Sequence, residues 1–128
     1  MKALFRRVAP YADDEMNLPV KSVDEAIPFY ETVMGFRIVS RSDSPHNSAI
    51  LSRDDIQIGL AENGGDPGQE GCFFEVDNAE TAFAELKTNG LDRDDAGFRI
   101  DQFGNKRYKV FFVVAPDGLC YMLGEPQQ

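Results

Sequence analysis

Few side chains in this sequence are of the types that catalyse reactions or bind metals. The only histidine is His46, in the turn-like segment 44–47, where we expect a solvent-exposed imidazole. The sequence contains no nucleophile elbow, and no glycine-rich segment joins a strand to a helix as a phosphate loop would. A buried carboxylate can act as a base without a metal, and Glu15 and Glu75 are the candidates. Glu75 alternates with apolar residues, so we expect it on the outer face of a strand.

The two cysteines, Cys72 and Cys120, both lie in apolar segments with strand-like composition. A zinc site would need further cysteine or histidine residues close to them. We therefore interpret both as reduced, buried side chains that pack as small hydrophobic residues. A redox pair is the alternative if the two strands are neighbours in a sheet.

The composition indicates one folded domain. A chain of 128 residues with 42% hydrophobic residues is long and apolar enough to bury a core. No apolar run approaches the roughly 20 residues that a membrane helix needs. The first residues place charge on both sides of a short apolar pair, which is unlike a signal peptide, so we expect a cytoplasmic protein.

The formal net charge of −9 argues against a nucleic-acid partner, because binding to a phosphate backbone requires a surface rich in lysine and arginine. At long range such a charge attracts cationic small molecules or a cationic partner. The simpler interpretation is an acidic surface that keeps the protein in solution.

Two stretches of the chain carry the same helical pattern, with apolar residues at i, i+3, i+4 and i+7. These residues are Val23, Ala26, Ile27 and Tyr30 in the first stretch and Ala79, Ala82, Phe83 and Leu86 in the second. Ser22 and Asn78 are predicted to cap the two helices at their starts. Gly35 and Gly90 are predicted to end them. Pro28 is tolerable because it lies close to the first turn.

Strand-like runs surround each predicted helix. They are 18–20, 37–41, 48–52 and 56–61 in the first half, and 71–76, 98–102, 106–114 and 119–123 in the second. Each half therefore has the order β-α-β-β-β, which predicts an α+β fold. We place module one at about 1–62, a linker at 63–70 and module two at about 71–128. One helix cannot cover a sheet alone, so the two modules would pack together over a shared core, and an unrelated α+β sandwich is the alternative.

Several motifs are more specific than composition. Leu18-Pro19-Val20 is followed by Phe29-Tyr30 and by Met34-Gly35-Phe36, and segments 75–79 and 89–90 repeat this arrangement in the second half. Pro116-Asp117-Gly118 joins the last two apolar strands. Together these motifs resemble the glyoxalase/bleomycin resistance protein/extradiol dioxygenase superfamily, which has the vicinal oxygen chelate fold. The resemblance covers nearly the whole chain and implies an open, curved, mixed sheet around a cleft, with one main helix per module, often completed in a homodimer.

The resemblance also implies where a metal would bind. Metal-dependent members place four ligands in the cleft, and these positions fall on Glu15, Gln57, Gly71 (or Cys72) and Met122. A divalent ion needs three or four nitrogen or oxygen donors at about 2.0–2.2 Å. Glycine offers no side-chain donor, and a methionine thioether is unsuited to zinc, nickel, magnesium or iron. We therefore expect no complete metal site and no cofactor, and a lyase, isomerase or dioxygenase with a non-standard metal site is the alternative.

Without these ligands, the implied cleft is apolar with a few polar groups. Alternation along the strands puts Cys120 and Met122 on one face. The predicted ligand-binding residues are Glu15, Gln57, Phe73, Phe103, Tyr108, Cys120 and Met122. Such a lining suits a small aromatic or amphiphilic ligand. The pattern is most similar to metal-free bleomycin-resistance-type members, which implies a dimer that sequesters a small molecule, and the negative charge would suit a cationic one. The alternative is that these side chains fill the sheet interior and the cleft is vestigial.

Overall fold

A computed structural model describes residues 2–10, 16–69 and 71–127, and within them nine strands and two helices follow one another along the chain. In chain order they are β1 (Phe5–Pro10), β2 (Leu18–Pro19), α1 (Val23–Thr32), β3 (Arg37–Ser42), β4 (Ser48–Arg53), β5 (Ile56–Ala61), β6 (Gly71–Val76), α2 (Ala79–Thr88), β7 (Arg99–Phe103), β8 (Lys106–Val114) and β9 (Cys120–Gln127). A short 3₁₀ turn, Pro67–Gln69, precedes β6. Neither helix has the length or apolar character that crossing a bilayer requires, as far as the described residues go.

The two helices form where the capping signals predict them. The Ser22 hydroxyl accepts a hydrogen bond from the Glu25 amide at 3.2 Å, and the Asn78 side chain accepts one from the Thr81 amide at 2.8 Å. Each cap satisfies an amide that has no partner inside the helix. Gly35 follows α1 with a φ of +77°, a left-handed conformation that favours glycine.

The strands form two sheets in which each module's four strands pair in the same way. One has the order β2-β5-β4-β3 and the other the order β1-β6-β9-β8-β7. In each sheet the strand before the helix pairs in parallel with the last strand of the same half, β2 with β5 and β6 with β9, and the other pairs are antiparallel. This arrangement confirms the predicted α+β fold of two βαβββ modules.

Strand β1 is an element that the sequence patterns did not predict. It pairs antiparallel with β6 and so lies at the edge of the second module's sheet, although it precedes the first module's elements in the chain. Its alternation is interrupted by a bulge between Phe5 and Arg7, and it ends in Pro10, a residue that edge strands tolerate. Its side chains become part of the candidate site described below.

A single core joins both sheets and both helices. Phe74 of β6 stacks on Tyr121 of β9 with ring centroids 5.0 Å apart, and Phe5 packs against Phe74 at 5.5 Å. Tyr30 of α1 meets Tyr121 edge-on, and their hydroxyls lie 2.7 Å apart. These rings lie on the helix-covered faces of the sheets, which leaves the opposite face of the five-stranded sheet open.

Candidate functional site

The open face of the five-stranded sheet carries a cleft of about 500 Å³. Its lining comes from β1, β6, β8 and β9 and from the end of β7. The lining residues are Arg7, Ala9, Pro10, Phe73, Phe103, Lys106, Tyr108 and Met122. Phe73 and Met122 are direct register partners on parallel strands, so alternation puts both on the open face.

Three aromatic rings form the apolar surface of the cleft. The Phe73 ring lies 5.1 Å from that of Tyr108 and 6.3 Å from that of Phe103, and the rings of Phe103 and Tyr108 are 5.9 Å apart. Tyr108 is 4% exposed, whereas Phe103 is 48% exposed at the mouth. Such rings provide edges and faces against which a flat ligand can stack.

Gly124 of β9 makes this ring cluster possible. A Cβ atom at Gly124 would lie 2.6 Å from Cε1 of Phe73, closer than any non-bonded carbon pair tolerates. The Phe73 ring therefore lies over the glycine and reaches Tyr108 two strands away. A side chain at this position would hold the two rings apart.

Two cations border the rings. Arg7 has its guanidinium carbon 5.6 Å from the Phe73 ring centroid, and its Nε lies 3.5 Å from Oε1 of Glu75. Lys106 is exposed at the start of β8, where it is the register partner of Phe103. Glu75 faces away from the buried Phe74 and Val76, as alternation predicted. Residues two apart on a strand share a face, so Phe73 and the cleft lie on this same outer face.

The structure brings together four of the seven predicted ligand-binding residues, Phe73, Phe103, Tyr108 and Met122, in one cleft. Gln57 lines a separate cavity of about 540 Å³ beside Asp54 and Asp55, because β5 belongs to the other sheet. Arg7 borders both cavities. Glu15 lies outside the described residues.

Cys120 shares the open face of β9 with Met122 but does not line the cleft. It is the register partner of Gly71, and burial raises the pKa of its thiol. Strands β6 and β9 are neighbours, as a redox pair would require. Cys72 nevertheless lies on the opposite face from Cys120, fully buried, and the two thiols form no disulfide.

Four lining residues were absent from the sequence-based set: Arg7, Ala9, Pro10 and Lys106. The first three lie on β1, whose pairing with β6 is not visible in local patterns. Lys106 could have been found, because it precedes Tyr108 by two residues on a predicted strand and must share its face.

Family membership follows from comparison with known proteins. A family model described as Glyoxalase/Bleomycin resistance protein/Dioxygenase superfamily matches residues 13–111, a span that includes both helices and strands of both sheets. The chain belongs to this superfamily. No curated protein sequence matches it.

Solved structures of this superfamily's fold resemble the chain over most of its length. A bleomycin-binding protein complexed with bleomycin is 26% identical, with 91% of this chain and 99% of that chain covered and a TM-score of 0.64. A bleomycin resistance determinant encoded on the transposon Tn5 is 24% identical, with the same coverage and a TM-score of 0.65. A virulence protein from Salmonella typhimurium is 20% identical, with 89% and 95% covered and a TM-score of 0.67. The two structures below 25% identity show the fold alone.

Of the superfamily's four metal-ligand positions, the three that fall on described residues do not come together as a metal site. Gln57 and Met122 line different cavities, Gly71 has no side-chain donor, and Cys72 lies on the helix-covered face. Across residues 2–10, 16–69 and 71–127, no three His, Cys, Asp or Glu side chains converge as a metal site requires. The fourth position, Glu15, is outside these ranges.

Proposed function

We propose that this protein binds and sequesters a small aromatic or amphiphilic molecule in the cleft of the five-stranded sheet and releases it chemically unchanged. The observation that carries the proposal is the cluster of Phe73, Phe103 and Tyr108 around an open cleft of about 500 Å³. This volume lies within the range of small-molecule sites, which are concave, mostly apolar and provided with a few polar groups.

The composition of the lining favours binding over turnover. The described lining residues include aromatic, apolar and cationic side chains but no carboxylate, histidine, cysteine, serine or threonine. General acid–base or nucleophilic catalysis needs one of these groups, or a Lys or Tyr with a strongly perturbed pKa, within hydrogen-bonding distance of the reacting atom. The similar solved structure at 26% identity is described as a bleomycin-binding protein complexed with bleomycin, which supports the assignment to the binding class.

We also propose that the protein is a homodimer whose second copy helps to enclose the ligand. Strand β7 is an edge of its sheet, and it exposes Ile100 by 55% and Phe103 by 48%. Exposed apolar residues on an edge strand are typical of a surface that another chain covers. Phe103 belongs to the cleft as well, so such a partner would lie next to the ligand. Light scattering coupled to size exclusion should give the mass of two chains.

A thermal-shift screen with bleomycin and a set of planar aromatic metabolites tests the binding function. A ligand at 100 times its Kd stabilises the folded state by about 2.7 kcal/mol, which raises the Tm by about 10 °C for a domain of this size. Ligand recovered after incubation should be unchanged by mass spectrometry. A screen in which no compound raises the Tm contradicts the proposal.

A matched pair of variants tests whether the ligand binds in the cleft. Phe73→Leu removes a ring from the cleft, whereas Phe83→Leu removes a similarly half-buried ring that packs against Phe98 and Phe111 on the helix side. Both lower the Tm of the free protein, but only Phe73→Leu should weaken binding, by about tenfold. Equal weakening by both variants would show that the ligand binds elsewhere.

Elemental analysis of protein purified without chelators separates binding from metal-dependent catalysis. We expect substoichiometric zinc, nickel, manganese and iron. One equivalent of any of these metals per chain, together with conversion of a ligand, would instead favour a lyase, isomerase or dioxygenase.

A further inference from the structure

The polar groups that line the cleft are all hydrogen-bond donors or can act as donors. They are the guanidinium of Arg7, the ammonium of Lys106 and the hydroxyl of Tyr108. Guanidinium and ammonium groups donate and cannot accept. The described lining residues include no acidic or amide side chain that could accept a hydrogen bond from a ligand.

These groups can still donate hydrogen bonds to a ligand. The Nε of Arg7 lies 3.5 Å from Glu75, and among the described residues none accepts a hydrogen bond from its two terminal amino groups. Lys106 forms no ion pair with a described residue. The Tyr108 hydroxyl has no partner among the described residues. Every fully buried described side-chain polar atom does have a partner, so this hydroxyl is not fully buried, and Tyr108 itself lines the cleft.

The carboxylates on the same face are already neutralised. Glu75 lies beside Arg7, and Asp101 accepts two hydrogen bonds from Arg99, at 2.8 and 3.0 Å. A bidentate pair of this kind satisfies both partners and leaves little charge for a ligand. At contact distance, the described part of the cleft lining therefore offers one unpaired positive charge, that of Lys106, and the terminal amino groups of Arg7 as further donors, with no unpaired negative charge beside the rings.

The protein's net charge is negative, opposite in sign to the cations of the cleft, but it acts at longer distances than they do. A net charge of −9 attracts cations from a distance. At physiological ionic strength this field decays over about 8 Å, so for a bound ligand the charges that line the cleft dominate. Charges far from the site change the rate at which a ligand reaches the cleft, whereas charges at the site determine which ligand binds tightly.

We infer that the cleft selects aromatic acids: a planar ring system held by Phe73, Phe103 and Tyr108, with a carboxylate or similar oxyanion held by Arg7 or Lys106. This inference rests on the proposed binding function and assigns its ligand class. A guanidinium pairs with a carboxylate through two parallel hydrogen bonds, which favours Arg7 as the group that orients the acid.

Three ligands of one shape and different charge test the inference by titration calorimetry at pH 7.5. They are 2-naphthoate, 2-naphthamide and 2-(aminomethyl)naphthalene. We expect 2-naphthoate to bind at least tenfold more tightly than either of the others. Arg7→Met and Lys106→Met should each weaken naphthoate binding about fivefold or more and leave the amide unaffected, because only the acid uses their charge.

Arg37→Met is the control for the change in net charge, since Arg37 is exposed on β3 in the other sheet. It should leave naphthoate binding unchanged. Equal affinities for the three ligands, or tightest binding of the amine, would overturn the inference and leave the sequestering function standing. If none of the three binds at about 1 mM, the inference fails, and the broader thermal-shift screen decides whether the binding function fails with it.

Discussion

Arg53 of β4 and Glu85 of α2 form a buried ion pair that joins the two modules, with Nη2 and Oε1 2.6 Å apart. The guanidinium also donates to the carbonyls of Met34 and Ala3, and Glu85 accepts a hydrogen bond from the Ala3 amide. A Cβ at Gly35 would lie 2.6 Å from Nη1 of Arg53, so the turn after α1 is shaped around this group. The pair therefore fixes the N-terminal segment, the end of α1 and α2 in one arrangement.

Removing the charge of Glu85 should destabilise the fold strongly. Glu85→Gln leaves the buried Arg53 guanidinium with only the partly exposed Asp54 carboxylate as a counter-charge, 3.3 Å from Nε, and loss of a buried ionic partner typically costs about 3–5 kcal/mol of unfolding free energy. Urea unfolding followed by circular dichroism measures the loss. Glu80→Gln is the control, because Glu80 pairs with Lys109 at the exposed surface, and its stability should equal the wild type's. Similar losses in both variants would show that burial of the pair is unimportant.

Asp117 should make the stability depend on pH in the acidic range. Burial raises its pKa, although hydrogen bonds from the Leu119 amide and the Tyr30 hydroxyl oppose that shift. A raised folded-state pKa means that the folded state holds the proton more tightly. The contribution is therefore fully present below the unfolded value of about 3.9 and is lost as pH rises through the folded pKa.

Comparison with Asp117→Asn isolates this effect, since the other titrating groups are common to both proteins. Urea unfolding at several pH values from about 3.5 upwards should show the wild type losing stability relative to the variant as pH rises. A constant difference across that range would contradict the expectation.

Gly124→Ala should weaken ligand binding by changing the position of Phe73. The added methyl group meets the Phe73 ring at 2.6 Å and Cγ1 of Val110 at 3.1 Å, so the ring must tilt towards the cleft or away from Tyr108. Overpacking of this kind costs about 1–3 kcal/mol of stability. We expect about a tenfold rise in the Kd of the best ligand by titration calorimetry. Gly64→Ala serves as a control for stability, because nothing lies within 4 Å of its added Cβ, although its φ of +82° carries some strain of its own.

The two cysteines should differ in reactivity and should not form an intramolecular disulfide. Cys120 is partly accessible, but its raised pKa keeps the thiolate fraction small near neutral pH. Alkylation by iodoacetamide should therefore be slow, should accelerate above about pH 9, and should modify Cys120 while Cys72 reacts only on unfolding. Peptide mass spectrometry identifies the modified residue. An intramolecular disulfide formed in the native protein would contradict the placement of the two thiols on opposite faces.

Much of the fold could be predicted because its signals are local. The caps at Ser22 and Asn78, the turn at Gly35 and the alternation along β6 and β8 each depend on residues within about one element of one another. The repeat of these patterns in the two halves then predicts two modules. Phe73, Tyr108 and Met122 could be found in the same way, because they lie on strands already recognised, and Phe103 directly follows one of these strands.

The remaining features depend on contacts between segments far apart in the chain. Strand β1 pairs with β6 across more than sixty residues, and this pairing brings Arg7 to the aromatic cluster. Contacts between distant segments also place Gln57 in a separate cavity and the Phe73 ring over Gly124. They bury Arg53 and Glu85 as an ion pair. Local patterns indicate which residues form strands and helices and which face each residue occupies. Which faces meet is decided by the packing of the whole core, because only there do shape, volume and buried charge have to be satisfied together.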